Sequence, residues 1–240
     1  MNLFHFKHFA LYHERSTLKV GTDSVLLAAA VPLEGVRRVC DVGCGCGVIG
    51  FAVADRLQRA QVEEITVAGI DVDADSVEEC RRNATLFPNG MNLHFDFQQV
   101  AAQQFVPETL FDLVVCNPPF FAHSLKPEDG KRLMSRHRDD TLPFGELVSH
   151  VAQWLDPSGR FYVIVPVSEA ADFEKEALKL FHICERMEVR PTPSKPAHRL
   201  ILGMDFGGRP VRSSQLTIRD GAGEYTAEYK ALTKDFYLAF

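Results

Sequence analysis

An Asn-Pro-Pro-Phe tetrapeptide, Asn117 to Phe120, follows directly on the apolar run from Phe111 to Cys116. The run predicts a buried strand, which must stop at Pro118 because proline has no N–H for the ladder. The side-chain oxygen of Asn117 and the backbone oxygen of Pro118 would then lie side by side. Two such acceptors can hold both hydrogens of a planar amino group and free its lone pair to attack an electrophile. We therefore predict chemistry on an amine conjugated to a ring.

Phe120 extends this prediction, because its ring offers a π-face on which a heterocycle can stack. Stacking of a base on an aromatic side chain contributes about 1–3 kcal/mol. A plainer interpretation stays open, since Asn-Pro favours turns and the tetrapeptide would then only close a strand. The tetrapeptide alone does not decide between catalysis and a turn.

A glycine-rich turn indicates what binds beside the tetrapeptide. The apolar stretch from Val36 to Val42 predicts a strand, and Gly43, Gly45 and Gly47 follow it at alternate positions. Glycine lets the backbone approach a ligand closely, where a Cβ atom would collide. Asp41 lies two residues before the first of these glycines, at the mouth of the strand.

An acid follows a second predicted strand. The segment from Ile65 to Ile70 is apolar, and Asp71 comes directly after it. A carboxylate at that strand end is placed to accept hydrogen bonds from ribose hydroxyl groups. The turn and this acid together predict a ligand that contains a nucleoside.

Two nucleoside cofactors are compatible with the glycine pattern. Gly45, Gly47 and Gly50 spell the G-x-G-x-x-G of nicotinamide dinucleotide sites, which also carry an acid about twenty residues further on. In such sites the first glycine comes directly off the strand. That position here is Gly43, and the pattern would then require glycine at Val48. The acid and the alternating glycines instead resemble the S-adenosylmethionine loop of class I methyltransferases. A nicotinamide oxidoreductase stays an alternative, although no substrate domain with a hydride-handling residue is visible.

Apolar runs alternate with helix-compatible segments along the rest of the chain. Further strands are expected at 93–100, 113–116 and 160–165, and helices at 48–57, 75–83, 144–155 and 168–180. Two last strands, 182–189 and 199–204, are separated by a proline-rich segment that is too poor in helix formers for a crossover, so they predict a hairpin. The pattern predicts an α/β fold with a mostly parallel sheet and an antiparallel edge hairpin. The class I resemblance implies seven strands in a Rossmann-like sheet with helices on both faces.

Length and composition favour one domain over residues 1–240, because 46% hydrophobic residues supply a sizeable core. No apolar run approaches the roughly 20 residues of a membrane span. The first eight residues are too polar for a signal peptide, so a cytoplasmic location is expected. None of the six cysteines forms a C-x-x-C pair, and we expect reduced thiols without disulfides or a metal site.

Five segments, taken together, resemble one family over nearly the whole length of the chain. They are Lys19 to Leu27, Asn117 to Phe120, Arg132 to His137, Pro196 to Arg199, and Tyr225 to Leu238. The family is that of the bacterial tRNA adenine-N6 methyltransferases that modify the adenine next to the anticodon of a valine tRNA. Ribosomal guanine-N2 and release-factor glutamine methyltransferases share the glycine loop and the tetrapeptide, so the terminal segments are the discriminating ones.

The resemblance implies a cofactor, a partner and site residues. The cofactor would be S-adenosyl-L-methionine and the partner the anticodon stem-loop of a tRNA, bound by a monomer whose N-terminal extension, about 1–30, helps to bind both. The catalytic residues would be Asn117, Pro118 and Phe120. The cofactor would contact Thr22, Asp23, Asp41, Gly43, Gly45, Gly47, Asp71 and Asn117.

Two details of the cofactor site stay open. The resemblance implies that Thr22 and Asp23 close over the methionine end of the cofactor, but the same residues could cap a helix over 24–30. Related enzymes usually carry an acid after the third strand, facing the adenine of the cofactor. Ala101 stands there in this chain, and a backbone carbonyl or a nearby glutamine would have to replace the acid.

Local basic clusters favour RNA binding, although the net charge of −6 argues against a uniformly basic surface. A solvated charged face is the alternative for any single cluster. One cluster follows the tetrapeptide, a second lies late in the chain, and a third lies in the first nineteen residues. The residues predicted to bind RNA are Lys126, Lys131, Arg132, Arg136, Arg138, Lys195, His198 and Arg199.

The predicted mechanism depends on positioning rather than on acid–base catalysis, because the sulfonium of the cofactor is already activated. The target adenine would leave its stack and pack on Phe120. No general base is needed before transfer, so His137 is expected to contact phosphate or to be structural. A non-catalytic RNA-binding protein is a further alternative, but it would tend to lose Asn117 or the glycine loop.

Overall fold

The structure is a computed structural model that describes residues 3–16, 19–88, 90, 92–118 and 142–240. Its strands are Leu3–His5 (β1), Ala10–Tyr12 (β2), Arg38–Val42 (β3), Ile65–Asp71 (β4), Leu93–Gln99 (β5), Phe111–Cys116 (β6), Leu155–Pro166 (β7), His182–Arg190 (β8), Arg199–Asp205 (β9) and Arg212–Thr217 (β10). Its α-helices are Thr22–Ala30 (α1), Val48–Arg59 (α2), Ala74–Leu86 (α3), Phe144–Trp154 (α4), Val167–Ala177 (α5) and Ala227–Thr233 (α6).

Eight of these strands form one sheet in the order β10-β8-β9-β7-β6-β3-β4-β5, and β1 pairs with β2 in a separate hairpin. The strands from β7 to β5 in this order are parallel to one another. Strand β9 runs antiparallel between β7 and β8, and β10 is parallel to β8. The α/β class and the mostly parallel sheet are therefore as predicted.

Helices cover both faces of the sheet, so the central strands are buried on both sides. Val39 pairs with Val67 and Leu113, and all three belong to the core that includes α1, α2, α3 and α6. Their neighbours Cys40 and Val114 belong to the other core, which includes α4 and α5. Strands buried on both faces appear in sequence as continuous apolar runs, which is why these strands were predictable.

The sheet differs from the prediction in detail. The described residues form eight strands in it rather than seven, because β10 adds to the outside of β8. The predicted antiparallel hairpin of β8 and β9 lies on this side of the sheet, next to that outer strand. Strand β7 also begins at Leu155 rather than at residue 160, and its register against β6 shifts between Phe111 and Leu113. The irregular pairing accommodates Pro157, which lacks the N–H of a regular ladder.

Candidate functional site

Three adjacent parallel strands end at the candidate site. The last residues of β6 and β3 lie level with Ile70 of β4. Asn117 follows the last residue of β6, Gly43 follows the last residue of β3, and Asp71 follows Ile70 in β4. Ligands of open α/β sheets bind in the crevice outside the carboxyl ends of the strands. The main residues predicted from the sequence therefore meet at one edge of the sheet.

The glycine loop between β3 and α2 requires its glycines. Gly43, Gly45 and Gly47 have φ angles of 69°, 55° and 82°, a region that side-chain-bearing residues rarely adopt. A Cβ atom on Gly47 would also lie 2.5 Å from the ring of Phe51. The N–H of Gly45 donates to Asp71 Oδ2 at 2.9 Å, which ties the loop to the end of β4.

Asp41 lies beneath this loop and is completely buried. Its Oδ2 accepts the N–H of Gly50 at 3.0 Å, whereas its Oδ1 has no hydrogen-bond partner among the described residues. Burial raises the pKa of Asp41 to about 7; the Gly50 N–H lowers it and the charge of Asp71 raises it further. Buried polar atoms are nearly always paired, so this oxygen marks a position where a donor can bind.

Asp71 is partly satisfied by the backbone. Its Oδ2 accepts the N–H of Gly45 and its Oδ1 accepts the N–H of Asp73, both at 2.9 Å. Burial raises the pKa of Asp71, and the N–H groups of Asp73 and Gly45 oppose that rise. Each carboxylate oxygen can accept a second hydrogen bond. A ribose hydroxyl can therefore still bind here, and this contact stays a prediction.

Asn117 presents an acceptor that is not used within the described chain. Its Nδ2 donates to Ser24 Oγ at 3.2 Å, and its Oδ1 is buried without a partner among the described residues. Pro118 is buried beside it. The bond to Ser24 fixes the orientation of the amide, and the Asn117 oxygen can then accept a hydrogen bond from an amino group. Phe120 lies outside the described residues, so its stacking role stays a prediction.

A narrow cleft runs along this edge of the sheet. It is lined by Lys19, Ser24, Gly43, Cys44, Cys46, Val48, Ile49 and Asn117. Ser24 was not among the predicted site residues, and Lys19 was predicted only as a member of the basic cluster in the first nineteen residues. The one signal for Ser24 was its position next to Thr22 and Asp23, and spacing alone does not reveal a partner 93 residues away.

The first turn of α1 borders the cleft, but Thr22 and Asp23 do not cap it. The helix begins at Thr22, the residue before it is Gly21, and no side chain caps the helix start. The capping interpretation is therefore wrong. Asp23 Oδ2 instead accepts a hydrogen bond from Arg199 Nε at 2.7 Å. The contact of Thr22 and Asp23 with the cofactor stays a prediction.

Helix α3 attaches the N-terminal segment to the glycine loop. Asn83, fully buried, donates through Nδ2 to the carbonyls of Tyr12 and Cys46, at 2.9 and 3.1 Å. One turn earlier, Glu79 accepts the backbone N–H groups of residues 14–16. Neither residue was predicted from the sequence, where the available signal was two polar side chains four residues apart on one helix face.

The predicted RNA-binding residues divide into two sets. Lys195 is exposed between β8 and β9, and His198 and Arg199 are half-buried where β9 begins. Because Arg199 pairs with Pro166, the last residue of β7, this set lies at the same edge of the sheet as Asn117. The second set lies outside the described residues and consists of Lys126, Lys131, Arg132, Arg136 and Arg138.

Ala101 follows β5 and precedes a single turn of 3-10 helix, Ala102–Gln104. The side-chain amides of two nearby glutamines, Gln98 and Gln103, donate to Asp96 Oδ2 and Glu146 Oε2. Replacement of the usual acid beside the cofactor adenine by a backbone carbonyl or a glutamine stays a prediction.

The described part of the chain contains no group of three or more His, Cys, Asp or Glu side chains arranged to hold a metal ion. None of its helices combines the length and apolar character needed to cross a membrane. All six cysteines are free and buried. Burial raises the pKa of Cys116, and the neighbouring charge of Asp41 adds to this rise.

A larger cavity, of about 550 Å³, lies at the opposite edge of the sheet, where β7, β8 and β10 begin. It is lined by Pro32, Glu34, Arg160, Tyr162, Cys184, Arg209, Pro210 and Arg212. Its arginines already have partners: Arg160 donates to the Glu34 carbonyl at 2.7 Å, and Arg212 to Glu185 Oε2 at 3.5 Å. Neither the glycine loop nor Asn117 contributes to this cavity.

Known proteins are similar to this chain over most of its length. Residues 15–185 match the sequence profile of the methyltransferase small domain. A tRNA1(Val) (adenine(37)-N6)-methyltransferase from Phocaeicola vulgatus is 35% identical over 98% of this chain and 97% of its own length. A protein of the same name from Trichodesmium erythraeum is 31% identical over 100% of this chain and 99% of its own.

Solved structures share the fold. A protein described as a predicted O-methyltransferase from Agrobacterium tumefaciens superposes with a TM-score of 0.68, at 19% identity, over 89% of this chain and 96% of its own. A 16S rRNA N2 G1207 methyltransferase from T. thermophilus, in complex with AdoMet and guanosine, superposes with a TM-score of 0.54 at 20% identity. The superposition covers 85% of this chain and 50% of that protein. Both similarities show the fold of this chain.

Proposed function

Because the chain belongs to the methyltransferase small domain family and, within it, to the tRNA1(Val) (adenine(37)-N6)-methyltransferases, we propose that it methylates N6 of adenine 37 in a valine tRNA. It is a methyltransferase, and its cofactor is S-adenosyl-L-methionine. The single observation that supports the proposed base chemistry is the Oδ1 of Asn117, which has no partner among the described residues and lies beside the buried Pro118.

The residues at the carboxyl edge of the sheet fit this cofactor. Gly43, Gly45 and Gly47 have positive φ and carry no Cβ atom, so the backbone of the loop can be approached closely by a ligand at these positions. Asp41 Oδ1 is a buried acceptor without a partner among the described residues, which suits a donor of the ligand. Asp71 keeps lone pairs for ribose hydroxyl groups. When bound, S-adenosyl-L-methionine supplies an activated methyl group on a sulfonium.

Asn117 and Pro118 act on the amino group of the base. The Asn117 Oδ1 and the Pro118 carbonyl oxygen accept its two hydrogens, which localises the nitrogen lone pair and fixes its direction. This interaction strengthens as the lone pair leaves the ring system, so it stabilises the transition state more than the bound substrate. The methylated nitrogen then releases a proton to solvent, and no base on the chain is required.

The tRNA would approach the edge that carries Asn117, where Lys195 is exposed and His198 is half-buried. We propose that these two side chains contribute to the RNA surface together with the cluster of Arg132, Arg136 and Arg138. Lysine contacts with phosphate release counterions, so binding by this surface should weaken as salt rises. The proposed N-terminal extension would border the same cleft through Lys19.

The decisive experiment is methylation of a valine tRNA transcript by the purified protein with S-adenosyl-L-methionine. Mass spectrometry of the nucleosides should show one N6-methyladenosine, and a transcript with guanine in place of adenine 37 should gain no methyl group. A deletion strain should lose one N6-methyladenosine from the same tRNA. Methylation at another adenine would contradict the proposed position.

Two related activities use the same pair of acceptors and are tested alongside. An rRNA guanine-N2 methyltransferase would produce N2-methylguanosine in ribosomal RNA, and a protein glutamine-N5 methyltransferase would label a protein instead of RNA. The same mass-spectrometric readout, applied to rRNA and to a tryptic digest, distinguishes the three substrates. Either of these products in place of N6-methyladenosine would overturn the proposed substrate but not the methyltransferase chemistry.

A further inference from the structure

We propose that Arg199 is a positioning residue for the cofactor cleft and for Asn117, acting through the first turn of α1, and not a ligand of RNA phosphate. The inference rests on the proposed function, because the cleft it concerns is the cofactor cleft of that enzyme. Arg199 was predicted from the sequence to bind RNA, and Ser24 was not among the predicted site residues.

The ion pair between Arg199 and Asp23 is short and well shielded. Arg199 Nε donates to Asp23 Oδ2 at 2.7 Å, and its Nη1 donates to the His198 carbonyl at 3.1 Å. Only 24% of the Arg199 side chain and 21% of the Asp23 side chain is exposed. Arg199 is also the first residue of β9 and pairs with the end of β7. The guanidinium therefore holds Asp23 from a fixed point of the sheet.

The first turn of α1 transmits this anchor to Asn117. Ser24 follows Asp23 directly, and Ser24 Oγ accepts the Nδ2 of Asn117 at 3.2 Å. The N-cap residue of α1 is Gly21, and no side chain in the described part of the chain caps the helix, so its first N–H groups lack the usual capping partner. A helix start without a cap frays readily, and the ion pair to β9 restrains it from outside. Loss of that restraint would displace Ser24, release the Asn117 amide and loosen the cleft that both residues line.

The same contacts make Arg199 a poor phosphate ligand. Its fork of N–H donors is already directed at a carboxylate and a carbonyl. A phosphate that took the Nε face of the guanidinium would displace Asp23 and leave that half-buried carboxylate without its partner, which is costly. Lys195 lies on the same segment, is exposed, and forms no ion pair among the described residues, so it offers phosphate a charge at no such cost.

Two substitutions of Arg199 separate the roles. Arg199→Gln should weaken binding of S-adenosyl-L-methionine, measured by calorimetry without RNA, by about fivefold or more, the lower end of coupling between sites. The slope of tRNA affinity against salt should stay at the wild-type value. A slope reduced by about 0.7 to 0.9, the loss of one phosphate contact, with unchanged cofactor affinity would overturn the inference.

Arg199→Lys keeps the charge and is the milder change. A lysine can contact phosphate as a point charge, but it cannot bond Asp23 and the His198 carbonyl together as the arginine fork does. We expect this variant, too, to lose cofactor affinity while its tRNA salt dependence is unchanged. Wild-type cofactor affinity in Arg199→Lys would contradict the inference, even if Arg199→Gln fails to fold.

A double-mutant cycle tests whether the effect passes through Asp23. In an Asp23→Asn background, Arg199→Gln should cause little further loss of cofactor affinity, because the pair is already broken. Full additivity of the two losses would contradict a shared path.

Arg38→Lys is the matched control, since Arg38 and Asp112 form a pair of comparable exposure, 38% and 21%, at the opposite edge of the sheet. It should leave cofactor affinity unchanged. An equal loss there would mean general destabilisation and would overturn the inference.

If the wild-type protein binds the cofactor and methylates tRNA, a negative result for Arg199 counts against the inference alone. Absence of both wild-type activities counts against the proposed function.

Discussion

Buried and half-buried acceptors are paired differently at the two edges of the sheet. At the carboxyl edge, Asp41 Oδ1 and Asn117 Oδ1 lack partners among the described residues. At the amino edge, Asp112 accepts the N–H groups of Arg37 and Arg38, at 2.9 and 2.8 Å, although the larger cavity, of about 550 Å³, lies on that side. Functional sites keep polar atoms unpaired for their ligands. Asp55 Oδ2 and Asp205 Oδ2 also lack a hydrogen-bond partner among the described residues, but each lies within 4.0 Å of an arginine nitrogen, at 3.8 and 3.4 Å. Unpaired acceptors without a neighbouring cation, and not cavity volume, therefore distinguish the carboxyl edge of the described sheet.

Removal of the Asn117 oxygen should give the largest effect. Asn117→Ala should lose about 10² to 10³ in turnover, as for other single polarising contacts, because the oxygen acts mainly in the transition state. Binding of S-adenosyl-L-methionine and tRNA should stay within a few-fold of wild type. Single-turnover kinetics with separately measured dissociation constants check this. Methylation of tRNA by Asn117→Ala at the wild-type rate would mean that the tetrapeptide is only a turn.

Asn117→Asp refines the same test. The carboxylate keeps an acceptor of the same size, so partial activity is expected. It also adds a charge that faces a cationic sulfonium, and it cannot donate to Ser24 Oγ as the amide does. Turnover should therefore lie between those of the wild type and the alanine variant, and turnover below that of Asn117→Ala would contradict the acceptor role.

A pair of aspartates compares the two edges directly. Asp71→Ala should weaken cofactor binding by about 1.5–3 kcal/mol, the range for a hydrogen bond to a charged group. Asp112→Ala also removes a carboxylate that accepts two backbone N–H groups, but it should leave cofactor affinity unchanged. Calorimetry on both variants checks the difference. Equal affinities for the two would mean that another residue holds the ribose.

Two glycines with positive φ separate backbone strain from crowding. Gly47 and Gly35 have φ of 82° and 77°, but only at Gly47 would a Cβ meet other atoms within 4 Å. Both alanine variants should be strained. Gly47→Ala should lower the free energy of unfolding by about 1–3 kcal/mol more than Gly35→Ala, because of overpacking against Phe51. Urea denaturation of the two variants measures this, and equal losses would contradict the crowding at Gly47.

The smallest effect concerns pH. Burial raises the pKa of Asp41 to about 7, above the ordinary value of 3.8. Between these values the folded chain holds a proton that the unfolded chain has lost, so stability falls as pH rises through this window and levels off above it. From pH 6 to pH 8 the contribution should fall by about 1.4 kcal/mol, one pH unit of a single-proton slope. In Asp41→Asn this fall should disappear from urea denaturation curves, and its persistence would assign it to another group.

Local sequence determined most of the architecture. Strands β3, β4 and β6 were predictable because apolar runs are what strands buried on both faces require. The glycine loop was predictable because its positive φ angles restrict the residue type. The order of these elements then placed Asn117, Gly43 and Asp71 at one edge, since parallel strands end together. Strand β10 escaped prediction because its residues are mostly exposed and carry no apolar run.

The contacts that orient the site were decided by tertiary structure. Asn117 and Ser24 are 93 residues apart, and Asp23 and Arg199 are 176 apart. A motif reports the backbone and side-chain types that a strand end needs, because those constraints act within a few residues. It does not report which distant side chain meets a given amide, because that depends on how α1 packs against the completed sheet. The sequence by itself determined the acceptor at Asn117 and the edge where it lies. Only the folded chain determined that Ser24 holds the Asn117 nitrogen and that the Asn117 oxygen has no partner among the described residues.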